Sequence, residues 1–387
     1  MTETSTSLVD FYRRHGISPV RQDISDLDAH FTRRSALYRH LGILPSFLAG
    51  RTVLEFGPGS GFNSLYTAAL GPRRYVLVEG NPTGVNDIER LFADQLVLRP
   101  RIEVVSSLIE DYQTDERFDF VFCEGLLGLA GVDDPGALLR RVASFVAPGG
   151  VLVITCVDAI SLVAETLRRL MADLVSAPNE PLESRLAVLA PIFGAHLSRL
   201  GGVSRRHDDW VVDNLINPAS IGPLFSIPQA IEAIGGEFDV FGSSPSFVVD
   251  WRWYKTIVTP RGGVNENALD AYWQSAHNLL DSRHATAPRD AAANRELFER
   301  CSVIRSAARE FEQRGGGEPV AVVRRELAAM ADHIGGLAPA TAEAMREAVS
   351  LLGDPSPNPA RIRDSEGFGA WFGRGQQYIS FSRVSRT

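Results

Sequence analysis

Residues 53–61 run Val-Leu-Glu-Phe-Gly-Pro-Gly-Ser-Gly, which sets an acid, Glu55, two residues ahead of glycines at 57, 59 and 61. Glycines in such a turn have no Cβ to hold a ligand away, and a carboxylate at its start suits a cationic ligand. A second acid, Glu79, closes the apolar run Arg74–Val78 about twenty residues after the turn, where nucleotide-binding folds meet ribose hydroxyls. It could accept hydrogen bonds from two vicinal hydroxyls and would repel a 2′-phosphate. Glu124 closes a further apolar run, Phe118–Cys123. His207, followed by Asp208, Asp209, Trp210 and Asp213, sets a titratable base among acids and an aromatic ring. That cluster could deprotonate a hydroxyl or an amine, or simply cap a helix and bury a tryptophan.

These groups need elements to hold them. Val53–Phe56 reads as a buried strand, and Ser60 through Leu70 as a helix ended by Gly71. The glycine spacing departs from the dinucleotide pattern, because Phe62 stands three residues after Gly59 and Gly61 comes one residue early. Further strands are expected at 74–79, 102–106, 118–123 and 151–155. Asp134-Pro135 starts a helix with a buried stripe of Leu138, Leu139, Val142 and Val146. Strands alternating with helices predict a doubly wound α/β sheet with its ligand at the carboxyl ends of the strands.

The run Glu-x-Gly-x-Gly-x-Gly, the acid at 79, the Glu124-Gly125 strand end and the Pro148-Gly149-Gly150 opening of the fifth strand resemble the class I S-adenosylmethionine-dependent methyltransferases. The resemblance implies a Rossmann-like seven-stranded sheet and S-adenosyl-L-methionine as cofactor. It sets Glu55 near the methionine amino group, beyond the glycines Gly57, Gly59 and Gly61, and Glu79 at the ribose. Gly80 and Asn81 fall in the loop where the adenosine would lie, Ser107 and Leu108 where the adenine is bracketed, and Glu124 beside the methyl donor. The first 258 residues are similar to bacterial methyltransferases of polysaccharide or secondary-metabolite gene clusters.

At 387 residues the chain exceeds one such core, and its 22% charged and 44% hydrophobic residues are those of a globular protein. The expected division is an N-terminal helical lid over 1–50, a core over 51–258 with a helical insertion at 176–236, and a helical accessory region over 262–387. Tyr12, His30, Arg33 and Tyr38 are candidate lid contacts. Glu237–Gly242 and Phe247–Val258 are expected to pair as the closing hairpin, with Trp251, Trp253 and Tyr254 on its faces, and Gln376–Ser382 could be a short returning strand. The C-terminal helices would either cover the site or form a homodimer surface. A net charge of −8 argues against a nucleic-acid partner. The three cysteines lack metal spacing, no metal site is expected, and the absence of a leader-like or bilayer-length apolar run predicts a cytoplasmic protein with no membrane partner. The expected function is methyl transfer to an O or N nucleophile of a small molecule, a sugar or natural product, with His207 and Glu124 as candidate bases. The alternatives are aminopropyl transfer on the same fold and a non-catalytic cofactor-binding partner.

Overall fold

The computed structural model describes residues 24–93, 101–128, 132–203, 205–217, 222–249, 263–354 and 356–384, together with Phe11, His15, Trp253 and Lys255. Its centre is a seven-stranded sheet in the order β3-β2-β1-β4-β5-β7-β6. The strands are β1 (Thr52–Phe56), β2 (Arg74–Glu79), β3 (Ile102–Ser106), β4 (Phe118–Cys123), β5 (Val146–Cys156), β6 (Phe238–Ser244) and β7 (Gln377–Arg383). The first five pair in parallel, and β7 runs antiparallel to both β5 and β6. Parallel strands are covered on both faces, and the near-continuous apolar runs of β1, β2 and β4 answer that demand. The Pro148-Gly149-Gly150 segment lies inside β5, whose register against β4 shifts between Phe118 and Phe120.

Two expectations about the sheet are corrected. The helix after the glycine turn spans Ser64–Ala69, starting four residues later than expected, so the amides at 59–61 belong to the turn itself. The closing strand is residues 377–383, and the segment 247–249 is not strand. Trp251 and Tyr254 lie outside the described residues, as do Tyr12 and the segment 256–262, and Trp253 is exposed. The seventh strand has the chemistry for a central place, because Ile379 and Phe381 are fully buried on one face and Ser380 is buried on the other. Alternation alone cannot tell such a strand from an amphipathic loop of similar composition.

The chain therefore divides differently from the sequential scheme. One unit comprises residues 1–157, 219–272 and 376–387 and contains the whole sheet; the other comprises 158–218 and 273–375. The accessory region expected to run to the end of the chain stops short of β7, which makes it an insertion between β6 and β7.

Within the sheet unit, the helix Leu27–His40 is capped by Asp26, whose Oδ1 accepts from the Ala29 amide at 2.9 Å. It buries His30, Arg34 and Tyr38, spaced four residues apart on one face. Tyr38 packs in a cluster with Tyr66, Phe120 and Phe122. The end of the helix is fixed to the sheet, because Ser380 Oγ donates to the Leu41 carbonyl at 2.8 Å and a Cβ at Gly242 would fall 2.7 Å from the Leu41 backbone.

The second unit is helical. Asp158 and Ser161 form a reciprocal cap at the start of Ala159–Val175. Leu297, Cys301 and Ile304 on Ala291–Arg314, and Val323, Leu327, Met330 and Ile334 on Gly317–Ile334, form buried stripes. Among the described residues no helix is long and apolar enough to cross a membrane.

Candidate functional site

The site is built at the carboxyl ends of β1, β2 and β4. Gly57, Gly59 and Gly61 all take positive φ, at 65°, 60° and 78°, a conformation that side chains disfavour by about 1–2 kcal/mol per residue. Gly57 carries a second constraint, since an added Cβ would stand 2.5 Å from Leu126 Cδ1.

Glu55 lies at the base of this turn and is buried. Its Oε2 accepts from Ser64 Oγ at 2.9 Å and from the Tyr75 hydroxyl. Burial pushes its pKa up to about 7 against the opposing pull of the Tyr75 hydrogen bond. Glu79 is tied to the turn more directly. Its Oε2 accepts from the Gly59 amide at 2.9 Å and its Oε1 from the Asn81 amide at 2.7 Å. Burial raises its pKa, and the amides of Asn81, Gly59 and Gly80 work the other way by favouring the anion. Glu79 thus shapes the turn itself, while Glu55 is tied to the first residue of the following helix and to β2.

Gly80, Asn81, Ser107 and Leu108 come together as expected. The Ser107 amide donates to the Glu79 carbonyl at 3.1 Å, and a Cβ at Gly80 would meet Leu108 Cδ2 at 2.6 Å. Leu108 is exposed, an apolar side chain beside the turn where an adenine face could rest. Asn81 is buried, and its Nδ2 finds no acceptor among the described residues.

Glu124 is not free. Its carboxylate pairs with Arg34 Nη1 at 3.2 Å and accepts from Asn63 Nδ2 at 3.2 Å and from the Tyr378 hydroxyl. Burial works against the charge of Arg34, but Glu124 together with Tyr38, Tyr378 and Glu55 more than offsets it, so the guanidinium pKa is raised. One turn earlier, His30 Nε2 lies 3.1 Å from the Phe62 carbonyl, and burial lowers its pKa. Tyr38 shares a 2.6 Å hydrogen bond with Thr67 Oγ1. Of the expected lid contacts, His30 and Tyr38 do face the turn and its helix. Arg33 is exposed.

Arg34, Asn63, Tyr75 and Tyr378 were not singled out by the sequence. Arg34 had a signal, since it falls four residues after His30 and four before Tyr38 on one helix. His207 belongs to the helical unit, where it opens the short helix His207–Val211 and packs against Gly194.

Residues 29–181 match the family model described as a methyltransferase domain. The chain carries a methyltransferase domain. Its sheet order makes the domain one of class I, and S-adenosylmethionine is the cofactor of that class. Among solved structures, the fold is similar to that of PKMT2 from Rickettsia typhi in complex with AdoHcy, at 16% identity over 62% of this chain and 49% of that one, with a TM-score of 0.43. A second is coclaurine N-methyltransferase bound to N-methylheliamine and SAH, at 14% identity over 94% of this chain and 75% of the other, with a TM-score of 0.39. A third is the [4+2]-cyclase SpnF, at 12% identity over 99% and 97%, with a TM-score of 0.41. The chain spans about half the length of the first of these. The methyltransferase domain has groups that fit the cofactor: two carboxylates at the glycine turn, the unmatched amide of Asn81 and the apolar surface of Leu108.

Proposed function

We propose that this protein transfers the methyl group of S-adenosylmethionine to an oxygen or nitrogen nucleophile on a small molecule of sugar or natural-product type. The observation that carries the reading is the convergence of Glu55 and Glu79 on one glycine turn within this sheet order. When bound, the cofactor supplies an electrophilic methyl group on a positively charged sulfur with a thioether as leaving group.

The chain's own residues then have separable tasks. Glu55 offers an anion to the cationic methionine half, and Ser64 and Tyr75 hold that carboxylate in place. Glu79 accepts from the Gly59 amide on one oxygen and the Asn81 amide on the other, with the Gly80 amide also acting on it, and a carboxylate's four acceptor positions still leave room for a ribose hydroxyl. Gly57, Gly59, Gly61 and Gly80 let the backbone come close, and Asn81, Ser107 and Leu108 meet the nucleoside. Remaining catalysis is alignment, exclusion of water and, for a hydroxyl acceptor, removal of one proton.

Glu124 is a poor candidate for that base, since both of its oxygens are already engaged, one by Arg34 and the other by Asn63 and Tyr378. We assign it to orientation, and leave His207 as the proposed proton acceptor. A net charge of −8 favours a small acceptor over a polyanion.

Incubating the purified protein with methyl-labelled S-adenosylmethionine and cell extract tests the reading. Label in a low-mass product supports it, whereas label in protein or nucleic acid, or binding without turnover, overturns it. His207→Ala is expected to slow transfer and leave cofactor affinity unchanged; a normal rate removes His207 from the chemistry.

A further inference from the structure

At the end of the sheet away from the glycine turn lies an open cleft of about 330 Å³. Its walls are the last turns of the helices Pro135–Ser144 and Ile227–Ile234, the start of β6 and the end of β7, with Arg117 entering from the residue before β4. Since β4, β5 and β6 share one direction and β7 opposes them, every part of this lining falls at the amino ends of the parallel strands. The six residues of β4 span roughly 20 Å, and a ligand in the cleft is that far from the site described above. It is therefore not the methyl acceptor.

The lining is positive on a chain whose net charge is −8. Arg117, Arg140 and Arg383 reach it from three separate elements, and Glu237 is the carboxylate among its lining residues. Arg383 takes that carboxylate, with Nη2 2.9 Å from Glu237 Oε2, and sets Nη1 on the Val146 carbonyl. Arg117 is exposed and donates from Nη1 to the Asp115 and Glu116 carbonyls at 3.2 and 2.9 Å, while the Glu116 carboxylate goes to Arg74. Arg140 Nη2 lies 3.7 Å from Asp134 Oδ2, beyond hydrogen-bond reach, and Asp134 Oδ1 is held by the Ala137 amide. The two helix carboxyl ends add about half a negative charge each. Together with Glu237 they offset two of the three cations and leave an excess of about one.

Between the arginines the lining is apolar. Ala143, Ile234 and Phe238 are buried, and the Arg383 guanidinium carbon stands 5.8 Å from the Phe238 ring centroid. A concave apolar surface carrying a few charged groups of one sign is the make-up of a small-ligand site. We propose that the cleft binds a small organic anion, whose acidic head is held by Arg117 and Arg140 and whose apolar body rests on Ala143, Ile234 and Phe238. Arg383, fixed by Glu237 and Val146, forms the rigid wall beside them. A carboxylate and a phosphomonoester share this chemistry, because each accepts two parallel N–H bonds from a guanidinium. Neither the methyl donor nor its acceptor enters this assignment.

Calorimetry on the full chain with benzoate, phenyl phosphate and the uncharged control benzyl alcohol tests it. The wild type should bind at least one of the anions at about millimolar affinity or tighter, and benzyl alcohol about tenfold more weakly. Whichever anion binds tighter identifies the head group. Arg117→Gln with Arg140→Gln should weaken that anion about tenfold or more, and each single replacement about threefold. Arg361→Gln with Arg363→Gln makes the same change in net charge on half-exposed arginines of the helical unit, and should leave affinity within about twofold. The proposal is overturned if neither anion binds, or if benzyl alcohol binds as well as the anions. It is equally overturned if the anion survives loss of Arg117 and Arg140, or if both double variants weaken it alike, the signature of non-specific charge.

Discussion

Burial pushes the Glu55 pKa up to about 7, so its charge, and with it the affinity for a cationic ligand, should switch within the range where enzymes are assayed. The perturbation is pH, between 6 and 8. About one molecule in eleven carries the Glu55 anion at pH 6 and about ten in eleven at pH 8. If the complex requires the anion, affinity for S-adenosylmethionine should rise about tenfold across that interval, equivalent to about 1.4 kcal/mol. The ligand's own α-amino group titrates near the top of the range, at about 7.7–8.0, and would blur a single curve. The ratio of wild-type to Glu55→Gln affinity removes that contribution, because both proteins meet the same ligand. Calorimetry in buffers of different ionisation enthalpy should also show proton release at pH 6.5 in the wild type and less in the variant. A wild-type to variant ratio that stays constant from pH 6 to 8 would refute the reasoning.

The same shift has a stability sign that can be checked without ligand. The folded pKa lies above the ordinary 4.5, so the folded protein holds this proton more tightly than the unfolded chain does. The contribution is present below pH 4.5 and is lost as pH rises through about 7, up to about 3 kcal/mol. Glu55→Gln should therefore gain stability relative to wild type at pH 8 compared with pH 5 in urea titrations.

Replacing Glu79 by Ala leaves the Gly59 and Asn81 amides without their acceptor, at a cost of about 1–3 kcal/mol for each that stays buried, so cofactor affinity and urea midpoint should fall together; unchanged affinity in calorimetry removes Glu79 from the site. Gly57→Ala introduces about 1–2 kcal/mol of backbone strain and a clash with Leu126, and should weaken cofactor binding with little change in far-ultraviolet circular dichroism. Phe381→Ala should cost about 3–5 kcal/mol and expose β5 amides to hydrogen exchange; an unaffected β5 would contradict the placement of β7.

How much of this could be read from the sequence follows from the distance over which each feature is made. The glycine turn, β1 and β2 with their acids, and the capped helix after Asp134 depend on neighbours within a few residues and stand where the residue pattern puts them, except that the helix ends at Ser144 and Val146, expected on its stripe, opens β5. Arg34 and Glu124 are 90 residues apart, and Tyr378 and Glu124 are 254 apart, so their meeting depends on the topology and leaves no local trace. The short strand expected at 376–382 stands as β7; what failed, for a related reason, was its place, because the closing pair was expected within 237–258. Residues 247–258 alternate as a strand should, while Gln377–Arg383 is short and half polar, and only the groove between β5 and β6 distinguishes them.

That groove imposes an order on biosynthesis. The chain makes β5 and β6 well before it makes the strand that joins them, and the second segment of the helical unit, residues 273–375, must leave the ribosome before that strand does. Until then two sheet edges stand with unsatisfied amides and carbonyls, the condition that invites mispairing between neighbouring nascent chains. Tyr378 arrives with the late strand, so the Glu124 cluster is finished only at that point. Ligand competence therefore reports that synthesis has passed the helical segment, and a fragment ending before Gln376 should accumulate as an aggregation-prone half-sheet rather than a smaller working enzyme.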